Sequence, residues 1–214
     1  MARRSGLLKT AIALVALAGL GVLFVRSAQD VQADPYEIPR DRLQRWTLAI
    51  DPEARASGIA VGLRPPRELP ASLFNSVFSR IGESISGPMP AQMPLVLQAE
   101  LDSRESTPVT PEALLALARE SGLESATLQP RCMARRRISA PGITRQMYFV
   151  LFDVPAFDDF RQKMSARLRA TGATFDPAAL SPTLIVAATD AMFSQWQPLR
   201  ADADKDCFAP ITVL

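Results

Sequence analysis

The hydrophobic pattern opens with sixteen uncharged residues, 10–25 (TAIALVALAGLGVLFV), set between Arg3, Arg4 and Lys9 on one side and Arg26 on the other. An apolar run behind a basic start predicts an export signal or a membrane anchor. Its length falls between the about seven to fifteen residues of a cleaved signal core and the roughly twenty of a comfortable span, so both readings stay open. Val31-Gln32-Ala33 offers a small-x-small cleavage site, but eight residues past the run, and Arg26-Ser27-Ala28 places a charge where a small residue is needed. These flanks favour an uncleaved anchor. The basic N-terminal side predicts that this end stays cytoplasmic and the body is exported to the cell envelope as a periplasmic domain tethered to the membrane, or secreted if the segment is cleaved. The expected organisation is a signal or anchor over 1–28, a polar, proline-containing linker over 29–42 and one domain over 43–214.

Within the body the period alternates between that of strands and that of helices. Residues 46–50 and 58–63 are short β-rich runs, the second stopped by Pro65-Pro66. Leu73, Phe74, Val77, Phe78, Ile81 and Ile85 then form one apolar stripe, predicting a helix over 69–85. A Gly/Pro/Met-rich stretch at 87–92 leads to a strand at 93–97. Thr110, Pro111 and Glu112 combine a side-chain cap, a pre-set φ and a favourable dipole charge, which predicts a helix start with its end at Gly122. Strands are expected over 126–137 and 146–154 around the turn-forming Ala140-Pro141-Gly142. Pro155 and the stripe Phe157, Phe160, Met164 and Leu168 predict a helix closing at Gly172, and strands follow at 183–188 and 207–213. Leu63 and Phe152, Pro66 and Pro155, and Pro94 and Thr183 are each 89 residues apart. That common offset suggests a tandem duplication of β-α-β units with extra antiparallel strands, an α+β domain.

Composition narrows the chemistry. At 48% hydrophobic and 21% charged, 214 residues can bury a core. The net charge is +2, yet the four basic residues before Asp30 leave 20 basic against 22 acidic residues in the rest, so nucleic acid is not an expected partner. The chain has no histidine, which removes Ser-His-Asp and Cys-His machinery, HExxH zinc sites and imidazole proton transfer. No cofactor and no metal ligand set is indicated. The two cysteines, Cys132 and Cys207, are expected to form a disulfide in an exported protein. Closing a loop of 75 residues would contribute roughly 4 kcal/mol in the chain-entropy model. Arg135, Arg136 and Arg137, with Arg131 nearby, are candidates for anion binding, against the commoner reading of a solvated strand face. Asp202, Asp204 and Asp206 alternate as in a calcium loop, but Cys207 stands where its glycine and Val213 where its bidentate glutamate belong, so a polar turn is expected. Asp158-Asp159 is explained by the helix dipole, and Glu100, Asp102 and Glu105 form an acidic loop without metal-ligand spacing.

Over residues 58–213 the sequence resembles the 2H phosphoesterases, the group that includes 2′,5′ RNA ligase-like proteins, cyclic phosphodiesterases and Swiss Army Knife RNA-repair-like proteins. Residues 60–66 (AVGLRPP) resemble the opening strand that ends in paired prolines, residues 93–97 (MPLVL) fall at the first apolar-His-x-Thr strand, and residues 175–182 (FDPAALSP) resemble the approach to the second, which should begin at Thr183. The resemblance implies a pseudo-twofold cleft where two His exchange protons and two Thr hydroxyls hold a phosphate. Those four positions are here Pro94, Val96, Thr183 and Ile185, and only Thr183 keeps polarity. The expectation is therefore a degenerate, non-catalytic module that binds an unknown protein or small ligand. The alternative is a phosphodiesterase acting on cyclic phosphates or RNA ends through non-histidine groups, for instance Thr183 with an arginine and a carboxylate.

Overall fold

The computed structural model describes residues 17–21, 34–102, 109–140, 142–170, 175–197 and 199–214. The chain divides into two units, Met1–Asp34 and Pro35–Leu214. In the first, residues 17–21 are helical and exposed. The rest of the apolar segment over 10–25 lies outside the described residues. Among the described residues no helix is long and apolar enough to cross a membrane.

The second unit is an α+β domain with two sheets. Strand β1 (Tyr36–Ile38) is followed by β2 (Thr47–Ile50), the short helix α1 (Ala54–Ser57), β3 (Ile59–Arg64), helix α2 (Glu68–Ile81) and β4 (Met93–Leu97). Then come α3 (Gln98–Asp102), α4 (Pro111–Glu120), the long hairpin β5 (Gln129–Ala140) and β6 (Ile143–Asp153), α5 (Pro155–Arg169), β7 (Thr183–Ala188), α6 (Ala203–Asp206) and β8 (Cys207–Val213). One sheet has the order β2-β3-β4, the other β1-β8-β5-β6-β7. Hairpin, helix and strand occur twice in the same sense: β2, β3, α2, β4, then β5, β6, α5, β7. In each the last strand pairs antiparallel with the second. Strands β4 and β7 are in contact.

Local chemistry explains most boundaries. Strand β3 is buried at every position but its last, and Pro65-Pro66 ends it. Helix α2 stops at Ile81, not Ile85, because Gly82 takes a left-handed φ of 66° and its N–H returns to the Phe78 carbonyl. The apolar stripe outlasts the helix. Thr110 caps α4 as expected, its hydroxyl accepting from the Ala113 N–H at 3.3 Å, with Pro111 in the first turn. The second hairpin is three residues longer at each side of its turn than expected, running to Ala140 and restarting at Ile143, with Gly142 at φ 79° inside the turn.

The expected linker over 29–42 is corrected from Pro35 onward. Tyr36–Ile38 pairs parallel with Ile211–Val213, Tyr36 and Ile38 are buried, and Arg40–Leu43 forms a 3₁₀ turn with Leu43 in the core. Pro35 and Pro39 bracket an edge strand here and do not mark a spacer.

The five-stranded sheet is covered on both faces. Met133, Tyr148, Val150, Phe152, Leu184 and Val186 join the large core that includes α2, α4 and α5. Cys132, Ala134, Met147, Phe149, Leu151 and Ile185 face the other way and are covered by Trp196 and Leu199 from the segment before β8. Within the large core, Arg161 of α5 is fully buried. All five of its N–H donors are engaged: Nε on the Pro177 carbonyl, Nη1 on the Leu95 carbonyl and Glu100, and Nη2 on Glu100 and the Asp176 carbonyl, at 2.8–3.2 Å. Its guanidinium also lies 4.2 Å from the Phe175 ring centroid. One side chain thus joins α5 to β4, α3 and the approach to β7.

Candidate functional site

The candidate site is a cleft lined from both sheets. Asp51, Pro52, Glu53, Ala56, Ser57 and Ile59 form one wall. Arg64 and Gln92 come from the end of β3 and the approach to β4. Pro88, Met89 and Pro90 form a rim, and Ile185 of β7 with Ala191, Phe193, Ser194 and Gln197 makes the other wall. The cavity holds about 510 Å³.

A polar chain runs along it. Arg64 Nε donates to Gln92 Oε1 at 3.1 Å, and Gln92 Nε2 donates to Asp51 Oδ2 at 2.7 Å. Asp51 Oδ1 accepts the Glu53 N–H at 2.9 Å. Asp51 and Gln92 are buried, so each needs the other to satisfy its polar atoms. The close approach depends on Gly62: a Cβ there would stand 2.9 Å from Gln92 Oε1. Gln197 Oε1 on the far wall is buried with no donor among the described residues. The segment bearing that wall is tied back to the hairpin. Arg145 pairs with Asp190 at 2.9 Å and donates to Gln195 Oε1 at 2.9 Å, while Trp196 Nε1 donates to Asp190 Oδ1 at 3.2 Å.

Of the four positions singled out by sequence, Ile185 lines this cleft and the other three do not. Pro94 sits opposite Gly62 and Val96 opposite Val61, both fully enclosed in β4. Thr183 is 0% exposed, and its hydroxyl has no hydrogen-bond partner among the described residues. A phosphate held by that hydroxyl would have to enter a closed interior.

The arginine run is split by strand alternation. Arg136 pairs with Asp206 through two contacts and donates to the Arg200 carbonyl at 2.8 Å. Arg135 lies 5.3 Å from the Phe208 ring centroid, and Arg137 donates to Gln146 Oε1 at 3.2 Å. With Arg131 and Arg200 they border an open groove whose remaining wall is Asp202, Asp204, Lys205 and Asp206. The groove brings its own carboxylates. The alternating aspartates form α6: Asp202 caps it, accepting from the Asp204 N–H, and pairs with Lys205 at 2.8 Å. Cys132 and Cys207 are joined in a disulfide, with Cα atoms 5.7 Å apart, bonding β5 to β8 beside this groove.

Asp158 in the first turn of α5 has its pKa raised, first by burial and then by the Asp153 charge, while Asp159 pairs with Lys163 at 2.8 Å. Glu100 is the partner of Arg161, Asp102 accepts from Gln98, and Glu105 lies outside the described residues. No cluster of three or more His, Cys, Asp or Glu suited to a metal occurs among the described residues.

Sequence reasoning missed Arg161 and the chain Asp51, Gln92 and Arg64. A weak signal existed for the second: two unlike charged residues, Asp51 just past the end of β2 and Arg64 at the end of β3, with the amide Gln92 just before β4, the strand that pairs with β3. Comparison with protein-family models, with curated proteins and with solved structures returns no match.

Proposed function

We propose that this chain is a non-catalytic binding module, built on a degenerate, duplicated 2H phosphoesterase-like fold and carried at the cell envelope by its N-terminal apolar segment. The observation that carries the reading is the cleft itself. It is a concave space of about 510 Å³, within the range of about 300–1,000 Å³ typical of small-molecule sites. Its walls offer one hydrogen-bonded carboxylate-amide-guanidinium chain, buried at Asp51 and Gln92, and apolar surface, and no imidazole. Proton transfer by positioned groups typically supplies about 10²–10⁴-fold in rate, and this chain has no histidine to provide it. The twofold recurrence of hairpin, helix and strand, and the common offset of 89 residues, support the duplicated fold. The basic N-terminus ahead of residues 10–25 supports the envelope location.

A fragment screen on the full chain tests the binding reading. Ligands are expected whose binding is lost in Ile185→Arg, which puts a long cation into the cleft wall. A screen in which every hit binds Ile185→Arg as well as the parent would overturn it.

A further inference from the structure

The charges and unpaired polar atoms of the cleft specify a ligand class more narrowly than its volume does. Arg64 spends Nε on Gln92, and its two terminal nitrogens have no partner among the described residues. A planar pair of N–H forks of this kind fits a carboxylate in two parallel hydrogen bonds. On the same cavity stand the exposed Glu53 and the unpaired acceptor Gln197 Oε1. A buried acceptor without a donor is costly, so this position favours an incoming N–H. Ile59, Ile185 and Phe193 line the same cavity, with Pro88, Met89 and Pro90 at the rim.

Counted by sign, the lining holds one cation, Arg64, against Asp51 and Glu53. A phosphate dianion would meet two carboxylates. A simple organic cation would leave the Arg64 nitrogens unpaired. A molecule carrying both charges satisfies both ends, with its apolar part against the isoleucines and Phe193. From this arrangement we infer that the cleft binds a small zwitterion with an apolar body, of the class of a free apolar α-amino acid or its dipeptide. The carboxylate sits on Arg64 and the ammonium donates to Glu53 and Gln197. This assignment rests on the reading of the cleft as a binding site.

The test is an NMR titration of the full chain, following the indole N–H of Trp196, one of two tryptophans, assigned by comparison with Trp46→Phe. The probes are L-leucine and L-leucyl-L-leucine, which separate amino acid from peptide, with N-acetyl-L-leucine lacking the ammonium and L-leucinamide lacking the carboxylate. At least one zwitterion is expected to shift the Trp196 signal, and each single-charge analogue of leucine to bind at least tenfold more weakly than the better zwitterion. Loss of a hydrogen bond to a charged group corresponds to about tenfold to a hundredfold, and that is the weakening expected in Arg64→Gln and, acting on the other charge, in the exposed Glu53→Gln. Equal binding of the zwitterions and both analogues, or zwitterion binding unchanged in both variants, overturns the zwitterion assignment while leaving the cleft a binding site. If no probe moves Trp196 but Ile185-dependent fragments do, the assignment alone falls. If neither does, both fall.

Discussion

Replacing Arg161 by methionine keeps an unbranched apolar stem like the arginine's methylenes and removes its guanidinium. In the native chain that group is 0% exposed and bonds both Glu100 oxygens and three backbone carbonyls, those of Leu95, Asp176 and Pro177. Arg161→Met leaves the Glu100 carboxylate, itself little exposed, with the Leu97 N–H at 2.9 Å as its remaining partner among the described residues. Removing one member of a buried pair typically costs about 3–5 kcal/mol, because the other charge remains uncompensated. In a chain of 214 residues each kcal/mol corresponds to about 2–4 °C in Tm, so a fall of about 6–20 °C is expected. Glu100→Gln removes the other charge and should cost a comparable amount. The double variant should then be less destabilised than the two singles combined, with a coupling of about 1–3 kcal/mol. Urea unfolding with the disulfide intact, followed by far-UV circular dichroism, reads all four proteins. A cost below about 1 kcal/mol for Arg161→Met, or strict additivity in the double variant, would refute the claim that this pair fastens α5 to α3.

Three further outcomes follow from the same geometry. The Cys132–Cys207 bond closes a loop of 75 residues, so Cys132→Ala/Cys207→Ala should lose about 2–5 kcal/mol in urea unfolding, and a loss under 1 kcal/mol would contradict a stabilising role. Both tyrosines, Tyr36 and Tyr148, have phenols raised above 10.0, chiefly by burial; Arg80 and Arg135 oppose the shift at Tyr36, while at Tyr148 Glu83 adds to it and Arg135 and Arg137 oppose it. The folded state therefore holds these protons longer than the unfolded one, and the stability they contribute is complete below pH 10 and declines as pH rises through the folded values. Absorbance titration at 295 nm checks the sign: the native midpoint should lie above that in urea, and coincident midpoints would contradict it. Thr110→Ala should cost about 1 kcal/mol by leaving the Ala113 N–H uncapped, measured by Tm, and an unchanged Tm would mean the cap is silent.

What the sequence revealed depended on whether the cause of each feature was local. Thr110-Pro111 and Pro155 act within one turn of chain, so the helix starts of α4 and α5 were readable from a few residues. The cysteine pair was readable because only two exist. Strand β1 was not, since three residues between prolines become a strand only by pairing with β8 some 175 residues later. Arg161 lies beside Phe160 and reads as the polar edge of an amphipathic helix. It is interior because Glu100 and three carbonyls converge on it from elsewhere in the fold. The cleft was hidden for the same reason: Asp51, Arg64 and Gln92 sit at strand ends and in a loop, where charged residues are ordinarily solvated. The arginine run misled in the opposite direction, because alternation along β5 separates Arg136 from its neighbours and the nearest carboxylate comes from Asp206, at the other end of the sequence. Thr183 was the one polar residue kept in the resembling motif, yet β7 carries it into the interior and leaves Ile185 to line the cavity.

The central claim is that this cleft holds ligands without transforming them. Its most direct test is turnover of 2′,3′-cyclic nucleotides and of a generic phosphodiester by the purified full chain, beside Thr183→Val and Arg64→Gln. The account predicts no hydrolysis above the uncatalysed rate in any of the three proteins. Hydrolysis by the parent that disappears in either variant would contradict it and place working chemistry in a site without imidazole.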